Sequence, residues 1–450
     1  MSQGGRPTGP GPGSAIQNAI EYRRDPLGFL TRCVRAYGDL VALRLADVPA
    51  YILSHPDFIE HVLVRRGGNY VRDRFIQQGR KHLGAALLAD TDDARGQLQR
   101  RRLQPLLSHG HAIGYAQSLI MCSESYASRW PHGRVQDIYE EMRSLTLDVM
   151  LRVIFGAAAG PGLTEIRNHA EAAMRHMRAA MELPFRSATA TPAAWGRETS
   201  LFTAELDALR ALVDTQIDYR RRCAQGGEGM LAALLGEPAG PSGQMDASRL
   251  RDEMVSLLVA SHETTALALS YTWYLLASHP TARAALESEL SNVLGGRPPA
   301  PGDIERLAYT HQLVREALRL YPPVWILTRE AVCADVIADC AIEAGSLILM
   351  PRWIVQRDPR FFDAPDEFRP ERWATGAARH RLAYFPFGAG ARRCIGSAFA
   401  MVELVLIVAT IAQQVRFAVP ADYRLELLPT LHLRPRDGLR LEVVSRAGGS

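Results

Sequence analysis

One stretch concentrates the residue types that do chemistry: Phe385-Pro386-Phe387-Gly388-Ala389-Gly390-Ala391-Arg392-Arg393-Cys394-Ile395-Gly396, followed at once by an apolar run that reads as a helix over 397–414. Glycines at 388, 390 and 396 let a backbone turn tightly and approach a flat ligand where a Cβ would collide. Cys394 then stands beside a helix N-terminus, whose dipole and free N–H groups favour a thiolate. A buried thiolate is a strong axial donor to iron, and its electron push favours O–O cleavage. The bland alternative is a structural cysteine in a glycine-rich turn. A second pair of groups lies far off in sequence, at Glu263 and Thr264 within Ala260-Ser261-His262-Glu263-Thr264-Thr265. Both are poor local choices in mid-helix, because Thr has low helix propensity and a buried Glu must be solvated or paired. Proton movement would explain that cost; a polar helix face is the competing explanation.

The elements that must position these groups are mostly helical. Apolar periodicity predicts helices over 58–66, 95–107, 135–155, 163–181, 201–223, 250–277, 281–294, 304–320 and 397–414. Short β-type runs at 40–45, 51–54, 347–350 and 424–444 suggest a small sheet beside them. Gly- and Pro-rich stretches at 226–243 and 295–302 fall between helices without separating units that have their own cores, and no internal repeat is present. The expectation is a mainly α chain with a small β region, organised as one large domain over 15–450 behind a flexible Gly/Pro-rich tail over 1–14.

Composition narrows the class. Hydrophobic residues at 47% and charged residues at 22% match an ordinary soluble globular protein. With 52 basic and 48 acidic side chains the charge is too balanced for a dedicated nucleic-acid binder. The six cysteines are scattered without a C-x-x-C pair, favouring neither zinc nor disulfides and fitting a reducing cytoplasm. The start has no apolar core of a signal peptide, and the most apolar stretch, 254–277, is interrupted by His262 and Glu263, so no membrane span is expected.

The complete pattern F-x-x-G-x-R-x-C-x-G, at Phe387, Gly390, Arg392, Cys394 and Gly396, resembles the heme-binding signature of the cytochrome P450 family. Glu316 and Arg319 match the family's E-x-x-R motif, and Phe368-Arg369-Pro370-Glu371-Arg372-Trp373 matches its P-E-R-F element with Trp for Phe. On the residues alone, an i, i+3 pair such as Glu316 and Arg319 reads as an exposed pair worth little; the resemblance implies a Glu316, Arg319, Arg372 network that locks the cysteine loop. The segment around Glu263 resembles the family's A-G-x-[DE]-T-[TS], with Ser261 where Gly is usual, which puts the oxygen groove and proton delivery in question. These motifs occur in the family's order, and the resemblance spans about 37–444.

The resemblance implies a single-domain cytochrome P450 fold with heme b (iron protoporphyrin IX) between the central helix and the helix after the cysteine loop. Cys394 would be the metal ligand, and Arg392, Arg329, Arg100, Phe387, Gly388 and Gly396 would contact the cofactor. A solvated arginine is the alternative for Arg329 and for the Arg100-Arg101-Arg102 run, and Gly96 stands where a further heme contact is usual. Thr264 would hydrogen-bond dioxygen or a water while Glu263 relays protons. The expected reaction is monooxygenation of a hydrophobic small molecule such as a terpenoid, polyketide, macrolide or fatty-acid-like compound. The pocket would be lined by 71–88, 174–185, 259–264, 324–328 and 429–431, with Arg72, Arg74, Arg80 and Arg178 either holding a carboxylate or, for most of them, facing water. With no Gly-rich dinucleotide fingerprint and no spare length for a reductase, electrons would come from NAD(P)H through a separate ferredoxin or flavodoxin and its reductase, docking on Arg392, Arg393 and Arg100 to Arg102. A heme-dependent isomerase, a peroxygenase and a non-catalytic heme sensor are the alternatives.

Overall fold

A computed structural model describes residues 8–11, 14–74, 77, 94–156, 160, 162–186, 192–223, 228–236, 245–376 and 378–445. Contacts gather the chain into two compact units: residues 1–78, 315–395 and 427–434 in one, and 79–314, 396–426 and 435–450 in the other. The chain crosses between them repeatedly, so no single linker divides the sequence.

The first unit is built on a five-stranded sheet. Leu40–Leu45 and Val48–Leu53 form a hairpin, and Leu347–Pro351 runs parallel beside Val48–Leu53. Ile326–Ala331 pairs antiparallel with Leu347–Pro351 and carries Tyr70–Val71 at its far edge. Leu347–Pro351 is buried at every position because a strand lies on each side of it and side chains pack on both faces, which is why it reads as an unbroken apolar run. The helix Pro26–Tyr37 lays Phe29, Leu30 and Cys33 against Val41, Ile52, Trp325 and Leu349. It starts where Asp25 accepts from the Gly28 N–H at 2.9 Å and Pro26 occupies the first helical position.

The second unit is helical. Its longest helix, Ala247–Ser278, begins at Asp246, whose Oδ1 accepts from the Arg249 N–H at 2.8 Å. From Leu250 onward it is buried around most of its circumference, as expected of a helix enclosed by others. Ile138–Phe155 packs against it, and the Thr146 hydroxyl reaches the His262 carbonyl at 3.0 Å. The helix after the cysteine loop, Ser397–Ala412, is buried without interruption from Val402 to its end.

Several elements differ from the periodicity. The helix expected over 135–155 starts at Ile138, because Val135–Asp137 is a strand paired with Arg440–Ser445 and Asp137 then caps the N–H groups of Tyr139 and Glu140. The helix expected over 304–320 is two pieces, Pro301–Arg306 as a 3-10 turn and Ala308–Leu320 as α-helix. Asp303 fixes the first piece by accepting from Ala300 N at 2.9 Å and pairing with Arg297. Ala15–Arg24, Pro26–Tyr37, His109–Gly114 and Ala116–Arg129 had no predicted counterpart. Within the stretch read as a flexible tail, Thr8 is docked: its carbonyl accepts from Ala42 N at 2.9 Å and its hydroxyl donates to Tyr37 O at 3.2 Å. Among the described residues no helix is long and apolar enough to cross a membrane.

Candidate functional site

In the cysteine loop the chain doubles back twice. Gly388 N donates to Phe385 O at 2.9 Å, Arg393 N to Gly390 O at 3.1 Å, and Cys394 N to Phe387 O at 2.8 Å, which leaves the Cys394 side chain exposed at the tip. Gly388 and Gly390 take φ of +73° and +70°, and a Cβ on Gly390 would lie 1.9 Å from the Leu63 carbonyl oxygen. Both conformation and space therefore demand glycine there. Gly396 differs: its φ is −86° and a Cβ would meet nothing within 4 Å. Neither a positive φ nor a close contact with the described residues requires glycine at 396.

Buried positive charge lies beside this loop. Arg329, on the strand Ile326–Ala331, is 5% exposed and donates to the Thr328 carbonyl at 2.7 Å. Arg392 spends Nη1 on the carbonyls of Gly67 (2.8 Å) and Tyr70, fastening the loop to that segment. Arg352, which the sequence reading overlooked, is 3% exposed, lies over the Phe385 ring and donates Nη1 to Val324 O at 2.9 Å. Burial and then the charge of Arg329 push its pKa down to about 9, while Cys394 pulls it upward. The available signal was an arginine directly after an apolar strand, at Pro351-Arg352.

Behind the loop stands the predicted ion network, fully buried rather than exposed. Glu316 and Arg319 are both 0% exposed, and Arg319 grips the carboxylate with Nε (2.9 Å) and Nη2 (2.8 Å). Arg372 Nε, Trp373 Nε1 and the Arg369 N–H also donate to Glu316, at 2.9, 2.9 and 3.1 Å. Trp for Phe at 373 thus adds a donor. Arg319 Nη1 reaches the Gln356 carbonyl at 2.8 Å, the Gln356 amide donates to the carbonyls of Leu318 and Arg319, and its Oε1 accepts from Phe385 N at 3.3 Å. The network therefore ends on the first residue of the cysteine loop. Gln356 was not singled out from sequence.

On Ala247–Ser278, Glu263 is 1% exposed and its carboxylate is matched by protein groups. Tyr139 donates to it, Arg178 Nη1 donates to Oε2 at 2.9 Å, and Arg143 Nε stands 3.6 Å away. These arginines also line a cavity of 330 Å³ with Glu140, Glu171, Arg175 and His262. His262 is fixed by a 2.8 Å bond between Nδ1 and Leu258 O, so that nitrogen carries the proton; burial lowers its pKa to about 4 and keeps the ring neutral. Thr264 is half-buried, and its hydroxyl approaches the Ala260 and Ser261 carbonyls only at 3.5 and 3.4 Å, too long to hold it firmly. Ser261 folds its hydroxyl onto Leu257 O at 2.6 Å, so the side chain that replaces the family's glycine is tied to its own helix. Thr265 turns the other way, donating to Glu403 Oε2 at 3.3 Å. Burial pushes the Glu403 carboxyl up to about 8.

Of the arginines expected to hold a carboxylate or face water, Arg178 holds Glu263, while Arg74 is exposed, forms a bidentate pair with Glu330 and donates to Gly345 O at 2.9 Å. Arg80 and most of 71–88 lie outside the described residues. Two expected lining segments do meet, since Trp325 Nε1 donates to Thr430 O at 2.8 Å and Leu433 N to Pro323 O at 2.8 Å. Arg100 is half-buried on Ala94–Leu106.

The donor set suits heme: an exposed thiol at a loop tip, and buried guanidinium groups of the kind that bind carboxylates. The sequence model for Cytochrome P450 matches residues 7–441. Cyclooctatin synthase of Streptomyces melanosporofaciens is 34% identical, over 94% of this chain and 91% of its own length. Cyclooctat-9-en-7-ol 5-monooxygenase of the same organism is 31% identical over 91% and 89%, and pentalenene oxygenase of Streptomyces avermitilis 30% identical over 98% of both. The crystal structure of the cytochrome P450DA heme domain matches with a TM-score of 0.85 over 98% of both chains; at 24% identity that likeness speaks to fold.

Proposed function

This chain belongs to the cytochrome P450 family as a heme-dependent monooxygenase of bacterial type, and from that premise we propose that it oxidises a hydrophobic secondary metabolite such as a terpenoid or polyketide, using Cys394, Thr264 and Glu263. The names of the Streptomyces relatives support that substrate class. When bound, heme b supplies the redox-active iron at which dioxygen is activated.

The chain's own groups divide the remaining work. Cys394 would hold the heme iron from a loop that the Glu316 network keeps in one conformation. Arg329, Arg392 and Arg100 supply positive charge for the cofactor's carboxylates, and Phe387, Gly388 and Gly396 shape its bed. As its bond to Arg178 loosens, Glu263 would take up at Oε2 a proton delivered from bulk solvent through water in the adjoining cavity and pass it to the neighbouring Thr264 hydroxyl, which gives up its own proton as it receives one. That hydroxyl would be able to reorient to receive and pass on a proton because its own helix holds it only at 3.4–3.5 Å. Residues 15–450 act as one heme-thiolate domain in the cytoplasm, and electrons come from a separate ferredoxin or flavodoxin with its reductase.

The observation that carries this proposal is the display of the Cys394 thiol on a doubly turned loop beside buried arginines. The purified protein is expected to be pigmented, with a ferrous carbonyl spectrum of thiolate type that Cys394→Ser abolishes. Terpenoids or polyketides should shift the Soret band of the resting protein, and turnover should require NAD(P)H and redox partners. Turnover with peroxide alone would point to the peroxygenase alternative, and an imidazole-type carbonyl spectrum would refute the assignment of Cys394.

A further inference from the structure

We propose that Arg352 is an additional anchor for the cofactor, binding a heme propionate together with Arg329. The inference rests on the heme reading above and starts from charge. Arg352 is 3% exposed, yet among the described residues no carboxylate lies within ion-pair distance of it. Among the described residues it donates to a single neutral acceptor, Val324 O at 2.9 Å, and its Nε is buried with no partner. A guanidinium withdrawn from water needs both an opposite charge and acceptors for its N–H groups.

The surroundings make the need sharper. Arg329, itself 5% exposed, carries charge of the same sign and acts against Arg352, while Cys394 acts in its favour. Arg352 thus faces a second cation with no carboxylate beside it among the described residues. The planar fork of an arginine matches a carboxylate in a bidentate way, which a lone carbonyl cannot reproduce. Nη2 points toward the loop, standing 3.6 Å from the position a Cβ would take on Gly388. A ligand that brings carboxylates to the cysteine loop therefore completes Arg352, and heme b is such a ligand. Arg352 is a positioning residue in this scheme, acting on cofactor retention rather than on reacting atoms.

The test uses the full-length heme-loaded protein and follows release of heme to excess apomyoglobin. Arg352→Gln removes the charge and keeps a hydrogen-bonding side chain; Arg352→Lys keeps the charge and loses the fork. Losing one charge-assisted hydrogen bond should speed release by roughly ten- to a hundredfold in Arg352→Gln, with Arg352→Lys between it and the parent and the thiolate spectrum retained. Reconstitution with heme dimethyl ester, whose propionates are neutral, should erase the difference between parent and Arg352→Gln. Equal release rates with ordinary heme overturn the proposal, as does a gap that persists with the diester, which would mark Arg352 as a packing residue. A parent protein that holds no heme at all would instead overturn the cofactor reading itself, and this inference with it.

Discussion

Replacing Glu403 with Gln isolates one buried proton. The carboxyl lies 2% exposed on Ser397–Ala412, with the Thr265 hydroxyl at 3.3 Å and its Oε1 without a partner. Burial raises its pKa from 4.5 to about 8, so between those values the folded protein keeps a proton that the unfolded chain has released. Because the native state then binds more protons than the unfolded state, stability must fall as pH rises. The contribution is fully present below pH 4.5 and is lost as pH passes through about 8. The slope is about 1.36 kcal/mol per pH unit, or roughly 2–3 kcal/mol between pH 5.5 and 7.5. Urea-unfolding free energies of parent and Glu403→Gln, measured at both pH values, carry every other titrating group in common, so their difference reads Glu403 alone. The parent should lose roughly 2–3 kcal/mol relative to the variant over that interval. Parallel pH profiles would refute the assignment of a neutral, buried Glu403.

Three further substitutions test the site's scaffold and chemistry. Gly390→Ala forces a side chain into a positive-φ position and against the Leu63 carbonyl, and should cost about 2–5 kcal/mol, read as a lowered unfolding temperature with loss of bound heme. Trp373→Phe installs the residue usual in the family but deletes the 2.9 Å donor to Glu316, and should destabilise by about 1–3 kcal/mol in urea unfolding. Thr264→Ala should leave NAD(P)H consumption largely intact while product formed per NAD(P)H falls roughly tenfold or more, measured as coupling with any substrate that shifts the Soret band.

What the sequence made legible was whatever short-range pattern encodes. The cysteine loop is such a case, since Gly388, Gly390 and the Cys394 N–H close their turns between Phe385 and Cys394. Glu316 and Arg319 are another, because an i, i+3 spacing on a helix dictates their contact. Their burial was not legible, and an isolated pair of this kind reads as an exposed one of little value. Long-range partnerships were also hidden. Arg178 finds Glu263 85 positions away, Glu403 meets Thr265 across 138, and Arg74 meets Glu330 across 256. No local pattern distinguishes such a side chain from one that faces water. Among the missed helices, Ala116–Arg129 is rich in Ser, which has low helix propensity, and it is held by burial of Leu119, Ile120 and Tyr126.

The two principal carboxylates show how one functional group is assigned opposite roles by its donors. Glu316 receives five N–H groups at 2.8–3.1 Å from Arg319, Arg372, Trp373 and the Arg369 backbone, and it is wholly sealed from solvent. Those donors occupy every lone pair of the carboxylate. Its work is mechanical, holding Arg319 against Gln356 and through it the first residue of the cysteine loop. Glu263 is buried almost as deeply, but one of its arginines stands at 3.6 Å, beyond hydrogen-bonding range, and both line a cavity of 330 Å³. That carboxylate can exchange a guanidinium for a water without unfolding anything around it. The proposed proton route therefore runs through Glu263, with the loosely held Thr264 next to it, and not through Glu316.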